Sequence, residues 1–242
     1  MLDLVVRGFW GPRSEGPLEL AERWLAFLER LRKLDPDTFC GWREVAESDA
    51  KAPATALDPV ALAAYITAAN PEPDAQQIGY RATVWTRQEG RPEVTVKVTG
   101  GGTADNVPQS VVVNLELMDE DHEAPQARLL PEALVALADV WDVDWGDFYD
   151  DDLMDAVEEA YDLSNSSPRC GRAVYLSSGR KALAPEDLPG RRLATGHGGV
   201  VIDLSGPKGE APVTDTVIAV NGALRNSGAL EELPYPMDRP KL

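Results

Sequence analysis

The sequence predicts an α+β fold: a mainly antiparallel sheet of about five or six strands with a long N-terminal helix and further helices packed on it. Three observations predict it. Strand-like segments come in runs rather than alternating with helices, which argues against a doubly wound α/β sheet. YRATVWT (80–86), EVTVKVT (93–99) and QSVVVNLEL (109–117) alternate apolar and polar residues, the mark of antiparallel strands with one wet side. Residues 18–31 repeat apolar side chains at helical spacing. Neither an internal repeat nor a linker-like stretch interrupts the chain, so residues 1–242 are read as one domain.

The elements follow in order. Residues 2–10 suit a strand, closed by Gly11-Pro12. Ser14 is placed to cap a helix with Pro17 in its first turn, where a missing N–H costs nothing. Leu18, Ala21, Trp24, Leu25, Leu28 and Leu31 form its apolar face, and Asp35-Pro36 ends it. Residues 38–44 read as a turn packed on the helix end, and 45–57 as an exposed loop. Asp58-Pro59 opens a second helix to about Ala69, stopped by Asn70-Pro71. Residues 70–79 read as loop. RQEGRP joins the first two strands of the meander through Gly90. After a charged loop (118–125), helices are expected over 131–139 and 150–162, strands over 173–178 and 198–204, and a last helix capped by Thr214 or Asp215 and running to about Asn226.

Composition narrows the function. The chain carries 41 acidic and 23 basic side chains, a formal net charge of −18. Phosphate backbones and anionic membrane surfaces repel such a chain, which leaves a basic protein, a cation or an uncharged partner. No apolar run approaches the roughly 18 residues of a membrane helix, and no secretory signal pattern is visible. A cytoplasmic location with Cys40 and Cys170 both reduced is expected.

The region ADVWDVDWGDFYDDDLMDAVEEAYD (138–162) holds eleven carboxylates and no basic residue, with Trp141, Trp145, Phe148 and Tyr149 interleaved. Clustered carboxylates suit calcium or magnesium. Asp142-x-Asp144 opens like an EF-hand loop, but Gly146 falls at the fifth position and Leu153 stands where the bidentate Glu belongs. Alternatively, the stretch is an acidic-aromatic surface that docks a basic protein, with Trp141 and Trp145 exposed. A third reading is a solvated helix start, Asp150, Asp151 and Asp152 sitting at the positive end of the helix dipole.

Catalytic motifs are lacking. His122 and His197 fit no metal-ligand spacing, and Ser177-Ser178-Gly179 follows a strand without a helical continuation, unlike a nucleophile elbow. The glycine clusters TGGGTADN (99–106) and GHGGVV (196–201) lack the pattern of a phosphate loop, and the cysteines form no C-x-x-C. No catalytic set, cofactor site or metal site is assigned.

The opening RGFWGPRSEGPLELAERWLAFLERLRKLDPDTFCGW (7–42) is similar to the start of the immunity protein 52 family, which begins with a short strand, an aromatic-Trp-Gly-Pro-Arg turn and a helix ending before Asp-Pro. VWTRQEGRPEVTVKVTGG, NVPQSVVVNLEL, VWDVDWG, CGRAVYLSS and GGVVIDLSG resemble later family segments. The residue after Gly171 departs from the larger apolar or aromatic one expected, and residues 45–75 match no family segment. The resemblance implies a non-enzymatic cytoplasmic antidote to a toxin delivered by type VI or contact-dependent secretion. That toxin is expected to be a restriction-endonuclease-like nuclease, blocked by stoichiometric binding over its active site or nucleic-acid surface. Homo-oligomerisation is not indicated. A basic nuclease face complements a chain at −18.

Within that reading, Asp142, Asp144, Trp145, Asp147, Phe148 and Tyr149 are the expected toxin contacts. The alternatives are a divalent-cation-dependent enzyme or cation-binding protein using the 142–152 carboxylates, and an acidic DNA-mimic or scaffold. In RGFWGPR itself, Phe9 or Trp10 is expected to wedge the helix against the sheet, with Arg7 and Arg13 paired to carboxylates.

Overall fold

The computed structural model describes residues 2–242 apart from Glu72 and residues 118–122, so His122 and most of the charged loop lie outside the described residues. Among the described residues, nine strands form a single sheet in the order β2-β3-β4-β5-β1-β6-β7-β9-β8, and every neighbouring pair is antiparallel.

The first strand, β1 (Leu2–Trp10), is the central one, hydrogen-bonded to β5 (Gln109–Leu117) on one side and β6 (Trp145–Asp150) on the other. The meander β3 (Tyr80–Arg87), β4 (Glu93–Gly100) and β5 matches the expected strands to within a residue. Two-residue β2 (Arg43–Glu44) and exposed β8 (Arg191–Ala194) close the two edges, with β7 (Ala173–Leu176) and β9 (Val200–Asp203) inside β8. The sheet exceeds the five or six strands expected because β2, β6 and β8 are too short or too polar to show an apolar alternation.

On one face, Leu4, Val6 and Trp10 meet Val84, Val96, Val98, Val111, Val113 and Leu115 in the main core. Helices α1 (Pro17–Leu34), α2 (Pro59–Ala69) and α5 (Leu130–Trp141) cover it. Gly8 and Gly146 pair across β1 and β6. A Cβ on Gly8 would sit 2.4 Å from Leu137 and one on Gly146 would sit 3.0 Å from Leu134, so α5 presses on the sheet where both strands lack side chains. The second face divides. Over β7 and β9, Val174, Leu176, Val200 and Ile202 pack beneath α8 (Thr214–Asn226), with α6 (Asp151–Tyr161) beside it. Over β3, β4 and β5, side chains such as Trp85, Lys97, Asn114 and Glu116 stay at least partly exposed, the wet side that alternation predicts.

Helix ends follow local chemistry. Asp58 caps α2 by accepting from the Val60 and Ala61 amides, as expected. The cap of α1 is Gly16 rather than Ser14, its amide donating to Glu19 at 2.7 Å. Leu18 consequently falls on the outer side of the first turn, 48% exposed, and Leu20 and Phe27 complete the buried stripe instead. Val213 precedes α8, where Thr214 or Asp215 was the expected cap. Three short helices lie outside the helices that the sequence predicts: α3 (Ala75–Ile78), α4 (Glu123–Ala127) and α7 (Ser178–Leu183). A helix therefore does follow Ser177 at the end of β7.

Candidate functional site

The acid-rich stretch is not an exposed loop. Asp142 takes the left-handed conformation that ends α5, Asp144 donates its amide to the Phe9 carbonyl at 2.8 Å, and β6 then runs beside β1 with all six residues buried. Strand alternation sends Trp145, Asp147 and Tyr149 to one face and Gly146, Phe148 and Asp150 to the other, and both faces are covered here. Trp141 and Trp145, expected as an exposed pair, are 0% and 4% exposed.

Buried carboxylates need partners, and each of these has an arginine from a different element. Arg7 on β1 grips Asp147 directly opposite it through two hydrogen bonds of 2.8 and 3.0 Å and donates to Asn165 as well. Arg180 on α7 donates to Asp144 at 2.6 Å and to the carbonyls of Ala229 and Glu231. Arg172 donates to Asp150 at 2.5 Å and also to Glu123, while Asp150 caps α6 through the Leu153 amide. Burial alone would lower the pKa of Arg7, but the Asp147 charge and hydrogen bond outweigh it and hold that pKa above the ordinary value. The Arg7 guanidinium lies 4.5 Å over the Tyr149 ring. Desolvation pushes the Tyr149 hydroxyl up to about 12 despite that neighbouring cation.

At the RGFWGPR corner Arg7 and Arg13 pair with carboxylates, as expected, and Trp10 packs against α5, where the helix that follows it was the expected neighbour. Trp10 is buried against Trp141, ring centroids 5.9 Å apart, and its indole donates to Gln109. Arg13 pairs with Glu15 at 2.8 Å and donates to the Trp141 carbonyl.

One expected site residue, Trp145, stacks on half-buried Phe9 with ring centroids 4.6 Å apart and helps to line a cleft of 270 Å³. Its first wall comes from the ends of β1 and β6: Phe9, Trp10, Asp144 and Trp145. Ser164, Ser166 and Pro168 line it from the loop after α6. The C-terminal tail supplies the other wall through Glu232, Leu233, Tyr235 and Met237. This tail is tied down along its length. Met237 donates its amide to Asp105, Pro240 accepts from the Gly11 amide, Lys241 pairs with Asp142 at 2.7 Å, and the Leu242 amide donates to Asp144 at 2.9 Å.

Of the six residues expected as contacts, the structure brings Asp144 and Trp145 to the cleft, with Asp142 half-buried behind it under Lys241. Asp147 and Phe148 are 0% exposed, and Tyr149 is covered by Arg7. Tail residues Glu232, Tyr235 and Met237 were not expected. The signal available for them was the Pro-Tyr-Pro run at 234–236, whose prolines keep the tail out of a helix around an aromatic side chain. Among the described residues, no group of three or more His, Cys, Asp or Glu side chains is arranged to hold a metal ion. Among those residues, no helix is long and apolar enough to cross a membrane.

Comparison with known proteins places the chain. No curated protein sequence matches it. Its fold is similar to that of a T6SS protein from Pseudomonas aeruginosa, with a TM-score of 0.53 at 12% identity, covering 95% of this chain and 73% of that one. At that identity the likeness is one of fold alone. The model of the family described as Immunity protein 52 matches residues 5–205, and by that match the chain belongs to the immunity protein 52 family.

Proposed function

We propose that this chain is a cytoplasmic antidote that binds a cognate secreted toxin one-to-one and blocks it by covering its active site or substrate surface. Family membership is the observation that carries this reading. Its charge supports a basic, nuclease-like toxin. A domain that grips phosphate presents a positive face, and a chain at −18 is steered towards such a face and held by aromatic anchors.

The cleft end of the molecule is the proposed centre of docking. Trp145 and Asp144 line the cleft and Asp142 lies behind it, while Asp147, Phe148 and Tyr149 keep that surface in shape from beneath. The exposed carboxylates Asp151, Asp152, Asp155 and Glu159 of α6 extend the negative surface and steer association.

The cation-binding alternative loses its basis. Asp142, Asp144, Asp147 and Asp150 are each paired to a lysine or arginine, so their oxygens do not converge on a vacant point. Co-purification of the chain with the product of the neighbouring reading frame, and protection of cells on co-expression, test the antidote reading. Failure of both overturns it.

A further inference from the structure

The cleft between β1, β6 and the tail has a chemistry of its own. No lysine, arginine or histidine is among the residues that line it, and its charged groups are the carboxylates of Asp144 and Glu232. Asp144 is fully engaged by Arg180, Ser177 and the Leu242 amide. Glu232 is exposed and accepts the Ser167 hydroxyl at 2.6 Å. The rings of Phe9, Trp145 and Tyr235 lie around it, and Tyr235 is 80% exposed. Arg7, paired to Asp147, lies 5.4 and 6.0 Å from the Phe9 and Trp145 ring centroids without lining the cleft, and Arg225 donates to the Pro168 carbonyl. A carboxylate within a set of aromatic faces is a receptor for a cation. At 270 Å³ the space falls below the roughly 300–1,000 Å³ of small-molecule sites and fits one protruding side chain instead.

We propose that this cleft receives a single arginine or lysine side chain of the protein partner, with Glu232 pairing to the charge and Tyr235 and Phe9 flanking its stem. The inference rests on the antidote reading for the partner's identity and deepens it. The Glu232–Tyr235 wall lies outside residues 5–205, which makes partner choice at this point a property of the tail rather than of the region matched to the family.

The test uses the whole chain and a small probe. Nα-acetyl-arginine amide, titrated into the isotope-labelled protein, is expected to give saturable NMR shifts at Phe9, Trp145 and Tyr235. Nα-acetyl-lysine amide is expected to shift the same resonances, and the neutral citrulline analogue none of them. Tyr235→Ala, which removes an exposed side chain, and Glu232→Gln are each expected to weaken arginine binding by about two- to fivefold. Shifts that map elsewhere, equal shifts from the citrulline probe, or no saturable shift overturn the proposal. Full toxin neutralisation by both variants also overturns it while leaving the antidote reading intact. Absence of neutralisation by the unaltered chain overturns the antidote reading instead.

Discussion

Arg7 and Asp147 face each other across the two central strands of the sheet, joined by paired hydrogen bonds, at 2% and 0% exposure. They explain how an acidic stretch enters the middle of a sheet. The two aspartates of β6, and Asp144 just before it, are buried because an arginine meets each one, so these three charges do not reach the surface. Removing one partner strands the other charge in a dry site. Arg7→Ala or Asp147→Ala is therefore expected to cost about 3–5 kcal/mol in urea unfolding, and the double replacement less than the sum.

Asp144 ties the tail to the sheet. Asp144→Ala leaves Arg180 buried without its carboxylate and is expected to cost about 3–5 kcal/mol. Deleting Lys241 and Leu242 removes only the outer anchors. Its expected outcome is a nearly unchanged Tm with faster amide hydrogen exchange confined to the tail, including Met237, read by mass spectrometry.

Asp151 lies among like charges at the start of α6. Desolvation, and then Asp3, Asp155, Asp150 and Asp152, hold its carboxyl above the usual carboxylate range. The folded chain thus binds this proton more tightly than the unfolded one. Ionised Asp151 detracts from stability at neutral pH, and that loss is relieved as pH falls through the folded-state value. Asp151→Asn is expected to raise Tm at pH 7, with the gain vanishing below about pH 4.

The two thiols differ in kind. Cys170 is fully buried, and desolvation with the Asp147 charge pushes its pKa well above the usual thiol value. Cys40 is partly exposed. A thiol reagent is expected to label Cys40 in the native chain and Cys170 only on unfolding, at a rate that follows denaturant concentration.

The meander and α2 were legible because amphipathic alternation and an Asp-Pro cap are local signals. Strand β6 was not. Its alternation sets a buried tryptophan, aspartate and tyrosine against a glycine, a phenylalanine and an aspartate, and only Arg7 and Arg172, distant in sequence, make those two carboxylates buriable, as Arg180 does for Asp144 just before the strand. The family was legible from the N-terminal corner, whereas the cleft was only half so. Trp145 does line the cleft, but its surroundings depend on a tail that carries no periodicity.

Isothermal titration of the purified chain with the product of the neighbouring reading frame tests the central claim most directly. The antidote reading predicts saturable one-to-one binding, weakened by Tyr235→Ala while the Tm of the free chain is unchanged. No binding heat, together with no protection of cells on co-expression, would contradict it.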